Sequence, residues 1–263
     1  MQERKSTNSS PASKNERDCQ RHLTKNIMGK VNMYGWKLRQ RANRIALRIP
    51  GVPKLISLSL PRAQVFQLAY ATRAWGSAES GSGTGSELAA TENVSAYLPE
   101  LFRRLQVSTF LDAPCGDWNW MRRVDLSGVD YFGADVVSSV IAKNNREYAR
   151  SGVRFIHADL TRDPLPAVDM IMCRDCWVHL SFEDIAAILK NFRGTGARWL
   201  LVSNTPSQNR NQNKATGIDW RHLNLHLPPF NFPPKIESRK DHYPDVPFEI
   251  AVWRLAELPE VDL

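Results

Sequence analysis

The sequence predicts an α/β fold built on a doubly wound, mostly parallel sheet. Short apolar runs end in acids at Asp112, Asp135 and Asp159, with helix-like stretches between them. The first run continues into a tight turn, Thr109-Phe-Leu-Asp-Ala-Pro-Cys-Gly-Asp-Trp118, of strand-turn-helix form. In an open parallel sheet the ligand crevice lies at the carboxyl ends of the strands, beside the point where strand order reverses. A turn at that edge presents backbone N–H groups and a carboxylate, which suits a nucleotide-like ligand.

Taken in order, the elements read as follows. Thr72 to Gly85 is a loop rich in Gly and Ser. Ser86 caps a helix reaching about Leu105, with Leu88, Val94, Leu98, Leu101 and Leu105 near helical spacing. Strand one ends at Asp112, and a short helix spans Trp118 to Val124. Tyr131 to Val137 forms strand two, and a carboxylate at its end, Asp135, is suited to accept bonds from both hydroxyls of a ribose. Ser138 to Arg150 is helical, Val153 to Leu160 is strand three, and a fourth strand from Val168 runs into a loop ending near Leu180. Ser181 with Asp184 resembles a capping box opening a helix to about Phe192. Ala197 to Ser203 is strand five. Residues 204–234 follow, rich in Asn and Pro, and a structureless loop of that length usually binds something. Lys235 to Tyr243 and Phe248 to Leu255 read as two last strands.

The turn after strand one, with Asp112, Cys115 and Gly116 matching, resembles the first motif of class I S-adenosylmethionine-dependent methyltransferases. Pro114 and Trp118 stand where that family commonly has glycine. The resemblance covers roughly residues 86–255 and is sharpened by Asp135 and Asp159 after the next two strands. It implies a Rossmann-like, seven-stranded sheet with an antiparallel last strand, and S-adenosylmethionine as cofactor. It implies a cofactor wall of Asp112, Ala113, Pro114, Cys115, Gly116 and Trp118. Asp135 and Val136 would take the ribose, and Asp159 and Leu160 would border adenine. Trp75 and Ser82, in the segment before strand one, would close over the methionine end. Arg174, Asp175 and His179 would face the methyl acceptor, with Asp175 or His179 accepting a proton, or would instead fix their loop through hydrogen bonds. The acceptor is expected to be a small molecule, sugar or lipid-linked group, with Asn204, Asn209, Arg210, Trp220, Arg221 and Asn224 as candidate contacts. RNA or protein acceptors, and a non-catalytic scaffold of the same fold, are the alternatives. A dinucleotide-dependent oxidoreductase would need a Gly-x-Gly-x-x-Gly turn, which residues 112–118 do not supply.

Charge is concentrated at one end. Residues 1–62 hold 14 Lys or Arg against 3 Asp or Glu, a net of +11 against +8 for the whole chain, so residues 63–263 carry −3. This divides the chain into a basic extension, 1–62, and a single methyltransferase-like domain, 63–263. Residues 1–20 read as disordered. Residues 25–48 read as a basic amphipathic stretch, either a patch for anionic membrane or nucleic acid or a solvated cap on the core. The N-terminus lacks a secretory apolar region, and no run approaches the roughly 18 apolar residues of a membrane span, so a cytoplasmic location is expected. Cys173-Arg-Asp-Cys176 has C-x-x-C spacing, but at the end of a fourth strand it reads as ordinary reduced cysteine, and no metal site is expected.

Overall fold

The computed structural model describes residues 60–241, 247–261 and 263. The expectations for residues 1–59 therefore lie outside the described residues.

Seven strands form one sheet: β1 (Thr109–Asp112), β2 (Asp130–Asp135), β3 (Val153–His157), β4 (Met170–Cys173), β5 (Trp199–Asn204), β6 (Glu237–Lys240) and β7 (Glu249–Arg254). Their order is β3-β2-β1-β4-β5-β7-β6. The first five are parallel, and β7 lies antiparallel between β5 and β6. The chain winds outward from β1 to β3 and then returns to the other side of β1 at β4. The strand-order switch, and with it the crevice, falls at the tips of β1 and β4.

Strand alternation divides the core between the two sheet faces. Leu111, Ile171, Leu200 and Val202 pack with Ile185, Ile188, Leu189 and Phe192 of helix α4 (Phe182–Arg193). Phe110, Tyr131, Met170 and Leu201 pack with Leu98, Leu101 and Phe102 of helix α2 (Glu92–Leu105). Helix α3 (Ser138–Tyr148) follows β2. The continuously buried β4 and β5 are the pattern of strands covered on both faces.

Four elements depart from the sequence reading. Helix α1 (Arg62–Thr72) was not foreseen, and its first residue lay within the expected extension. Helix α2 starts at Glu92 and not at Ser86, because residues 84–86 form a separate 3-10 turn. Trp118 to Val124 is not a helix: Trp118 has φ 56°, and only Met121–Arg123 make a 3-10 turn. The capping box is half formed. Ser181 Oγ accepts the Asp184 amide at 3.2 Å, while the Asp184 carboxylate turns to Arg62 and Thr216.

Residues 205–234 hold no helix or strand, yet they are bonded throughout. Asn211 Nδ2 donates to the Asn224 carbonyl and its Oδ1 accepts the Asn224 amide, at 2.8 and 2.9 Å. Asn224 Nδ2 reaches the Pro206 and Gln208 carbonyls, and Asn204 joins Leu225 to Glu249. The asparagines replace the ladder that this stretch lacks.

Candidate active site

A pocket opens at the tips of β1 and β4. With the solvent at its mouth it holds about 980 Å³ of empty space. Asp112, Pro114, Cys115, Gly116, Trp118, Asp135, Val136, Asp159, Leu160, Trp75, Ser82, Arg174, Asp175 and His179 all line it. Ala113 does not. It is fully buried behind the wall, and its amide bonds to the Met172 carbonyl at 2.9 Å, joining β1 to β4.

Asp135 sits at the end of β2, only 3% exposed, and accepts the Gly116 amide at 3.1 Å and the Val137 amide at 2.9 Å. Burial pushes its carboxyl up to about 6, against the pull of those two amides. Asp112 accepts the Tyr131 hydroxyl at 2.7 Å, and burial pushes it up to about 7. Asp159 lies on the lining, but its carboxylate is engaged by Arg62 Nη1, at 2.7 and 2.8 Å, and by Thr161.

The Gly/Ser segment, residues 76–86, is strapped across the turn by Asp117, a residue of the first motif to which the sequence reading gave no role. Asp117 Oδ2 accepts the Gly81 amide at 2.7 Å, and Oδ1 accepts the Ser80 and Ser82 hydroxyls at 2.8 and 3.1 Å. Ser82 Oγ in turn lies 2.6 Å from Tyr70 Oη on α1. Gly116 makes this approach possible: a Cβ there would lie 2.3 Å from Ser82 Oγ, and its φ is 54°. Helix α2 begins six residues later than the strap ends, so Ser86 is not its cap. Asn119, also unassigned from sequence, ties Ser86 and Glu79 to the turn.

Trp118 borders the pocket, but its ring belongs to the core, packed against Tyr131, Tyr148 and Phe155. Trp75 is the more direct wall. Its ring lies 5.3 Å from that of His179 and 5.7 Å from Tyr70, and its Nε1 donates to the Ile218 carbonyl.

The acceptor side is formed by the turn after β4. Arg174 is not available to bind substrate. Its guanidinium, 4% exposed, makes a paired contact with Asp241 at 2.9 Å and 2.9 Å, and its Nη1 donates to the Gly85 carbonyl. Asp175 has φ 51°, its amide donates to Ser203 Oγ, and its carboxylate borders the pocket. His179 Nδ1 lies 3.1 Å from the Asp219 carbonyl, which selects the tautomer protonated there. Burial lowers its ring to about 4, so it is neutral near pH 7. The expected acceptor contacts from the long connection do not reach the lining. Asn204 bonds the Leu225 amide and the Glu249 carboxylate, Asn224 is spent on backbone, the Arg221 amide bonds the Val178 carbonyl, Trp220 is 55% exposed, and Asn209 and Arg210 lie on the surface.

Cys115, Cys173 and Cys176 are free and buried, and among the described residues no cluster of His, Cys, Asp or Glu is arranged to hold a metal ion. No described helix is long and apolar enough to cross a membrane.

No protein-family model matches the chain, and no curated protein does. Solved structures do. Over 69% of this chain and 83% of the other, it resembles 1,6-didemethyltoxoflavin-N1-methyltransferase of Burkholderia thailandensis, solved with its substrate and S-adenosylhomocysteine, at TM-score 0.50 and 16% identity. Human N-acetylserotonin methyltransferase with S-adenosylmethionine gives TM-score 0.49 at 12% identity, covering 78% of this chain and 60% of that one. Magnesium protoporphyrin IX methyltransferase of Synechocystis PCC 6803 gives TM-score 0.44 at 11% identity, over 62% and 84%. With the strand order given above, the first likeness establishes the fold, which is the Rossmann-like fold of class I methyltransferases.

Proposed function

We propose that the protein is an S-adenosylmethionine-dependent methyltransferase acting on a small-molecule acceptor. The observation that carries this is Asp135: a buried carboxylate at the tip of β2, fixed by two backbone amides of the neighbouring turns and facing the crevice at the strand-order switch. The residues present fit the cofactor. The pocket lies at the strand-order switch, and its inner end is acidic where hydroxyl donors are to be read. Asp135 would hold the ribose, Val136 and Leu160 would flank the base, and the turn at 115–117 would hold the amino-acid end. Bound S-adenosylmethionine supplies a methyl group already activated by a sulfonium.

The chain's own part is alignment and proton handling. The strap and the turn form one bonded wall beside the ligand, and good alignment is worth about 7–11 kcal/mol. His179, neutral and on the pocket wall, serves as base for a nucleophile that arrives protonated. Asp175 is the second proton acceptor on that wall, and Arg174, 3.3 Å from its carboxylate, is a strut for it. The acceptor of the Burkholderia enzyme is a small heterocycle, 1,6-didemethyltoxoflavin, and that neighbour supports an acceptor of small size here.

Calorimetric titration with S-adenosylmethionine and S-adenosylhomocysteine, with NAD as control, tests the reading. Micromolar binding of an adenosyl ligand, weakened in Asp135→Ala, supports it. Folded protein that binds neither overturns it.

A further inference from the structure

Helix α1 lies along the pocket with one face turned inward. Arg62, Phe66 and Tyr70, at the four-residue spacing of a single helical stripe, all line it. The helix is pinned at both ends. Tyr70 meets Ser82 of the strap, as described. At the other end Arg62 bridges two carboxylates from separate elements. Its Nη1 reaches both oxygens of Asp159, after β3, and Thr161 Oγ1 at 2.8 Å. Its Nε and Nη2 reach Asp184, in the first turn of α4, at 3.2 and 2.5 Å. Between the pins only Val65 and Ala69 are fully buried apolar side chains, against Ile218; Phe66 packs half-buried on the main core and on Trp75, and Gln67 bonds Ser139 of α3. A helix held by few buried apolar contacts and by ion pairs is the kind of element that opens locally.

We propose that Arg62 is the latch of the pocket, and that α1 must unlatch from Asp159 and Asp184 for the nucleoside ligand to enter or leave. The proposal rests on the cofactor reading above for the identity of that ligand. The latch closes the base end, where Asp159 and Leu160 border the pocket. Arg62 acts as a positioning residue, through the helix it carries. Its two-sided, charge-assisted bonding makes exchange slow and salt-sensitive.

The test pairs ligand exchange with backbone protection, on the full chain. Release of S-adenosylhomocysteine is followed by stopped-flow displacement for the wild type, Arg62→Ala, Arg62→Lys and Asp184→Asn. Loss of one or more charge-assisted bonds should speed release roughly 10- to 150-fold in Arg62→Ala. Asp184→Asn should give a smaller increase, and Arg62→Lys should restore part of the closure. Added KCl should speed release from the wild type but not from Arg62→Ala. Hydrogen exchange of the amides in 66–72 should rise in Arg62→Ala and Asp184→Asn, with β1 and β2 unchanged. Release rates and α1 protection equal to wild type in both variants would overturn the latch. A wild type that binds no adenosyl ligand would overturn the cofactor reading instead, and α1 protection would then decide the latch alone. A general loss of protection that reaches β1 and β2 would make Arg62 a structural residue and overturn the proposal.

Discussion

The Gly116 amide donates to Asp135 Oδ2 at 3.1 Å, so the turn after β1 is fastened to the tip of β2. The bond fixes the orientation of the carboxylate proposed to read ribose. Asp135→Ala is expected to weaken S-adenosylhomocysteine binding roughly 10- to 150-fold, the loss of one charge-assisted hydrogen bond. Titration calorimetry measures it, and unchanged affinity would remove Asp135 from the site.

The same carboxylate gives binding a pH dependence. Hydroxyl donors favour the ionised form, and Asp135 ionises at about 6. Affinity should therefore rise as pH rises through about 6 and level off above it. His179 is neutral above about 4, so turnover at saturating ligand should not fall with it between pH 5 and 8. Titrations and rates across pH 5–8 would separate the two groups, and a turnover limb near 6 would contradict the His179 assignment.

Gly116→Ala should loosen the strap. The new Cβ meets Ser82 Oγ and Tyr70 Oη, and the backbone has φ 54°. Gly128, at φ 77° with nothing near its Cβ direction, is the control for strain alone. Both substitutions should cost roughly 1–3 kcal/mol in backbone strain, and only Gly116→Ala should also abolish ligand binding. Thermal melts with titrations check this, and equal binding by the two variants would argue against the strap.

Arg174→Met should act on stability. It takes the guanidinium away from a buried Asp241, and removing one partner of such a pair costs roughly 3–5 kcal/mol. Asp241→Asn should cost less, because Asn keeps an acceptor for the guanidinium and the Asp175 carboxylate, 3.3 Å from Arg174 Nη1, still faces its charge. Chemical denaturation measures both. A stable Arg174→Met protein with lost turnover would return Arg174 to the catalytic group.

Burial also sets how the ligand-free protein responds to pH. Asp112 and Asp135 hold their protons more tightly folded than unfolded, at about 7 and about 6 against the usual 3.8. At these two sites the folded state thus binds more protons, and their contribution to stability falls as pH rises from about 4 to 7, opposed in part by His179, which holds its proton less tightly folded, at about 4 against the usual 6.5. Asp112→Asn should flatten that slope. Melting temperatures from pH 4 to 8 test it, and a slope unchanged by the substitution would refute the assignment to Asp112.

The strand tips were legible because each strand is a short apolar run closed by an acid, so one local pattern marks both element and site. Helix α1 was not. Val65, Phe66, Leu68 and Ala69 surround it without a clear apolar stripe, and the face that matters is Arg62, Phe66 and Tyr70, whose inward direction only packing reveals. Asp117 and Arg174 are visible as charges, but the sequence does not show what they hold, since their partners lie 36 and 67 residues away. The asparagines after β5 suggested a polar ligand. Instead they satisfy the backbone of a connection without a ladder, a duty that a composition reading does not distinguish from binding.

The position of β7 has a consequence for synthesis. The chain is made from its N-terminus, and β5 has a free edge until Glu249–Arg254 has emerged to pair with it. β6 is made earlier but among the described strands pairs only with β7, so it waits for its later neighbour. A nascent chain stalled before residue 249 would carry the apolar edge Trp199-Leu-Leu-Val202 uncovered, a template for pairing with other chains. The last sheet strand to be translated is the one that shields the hydrophobic edge from aggregation.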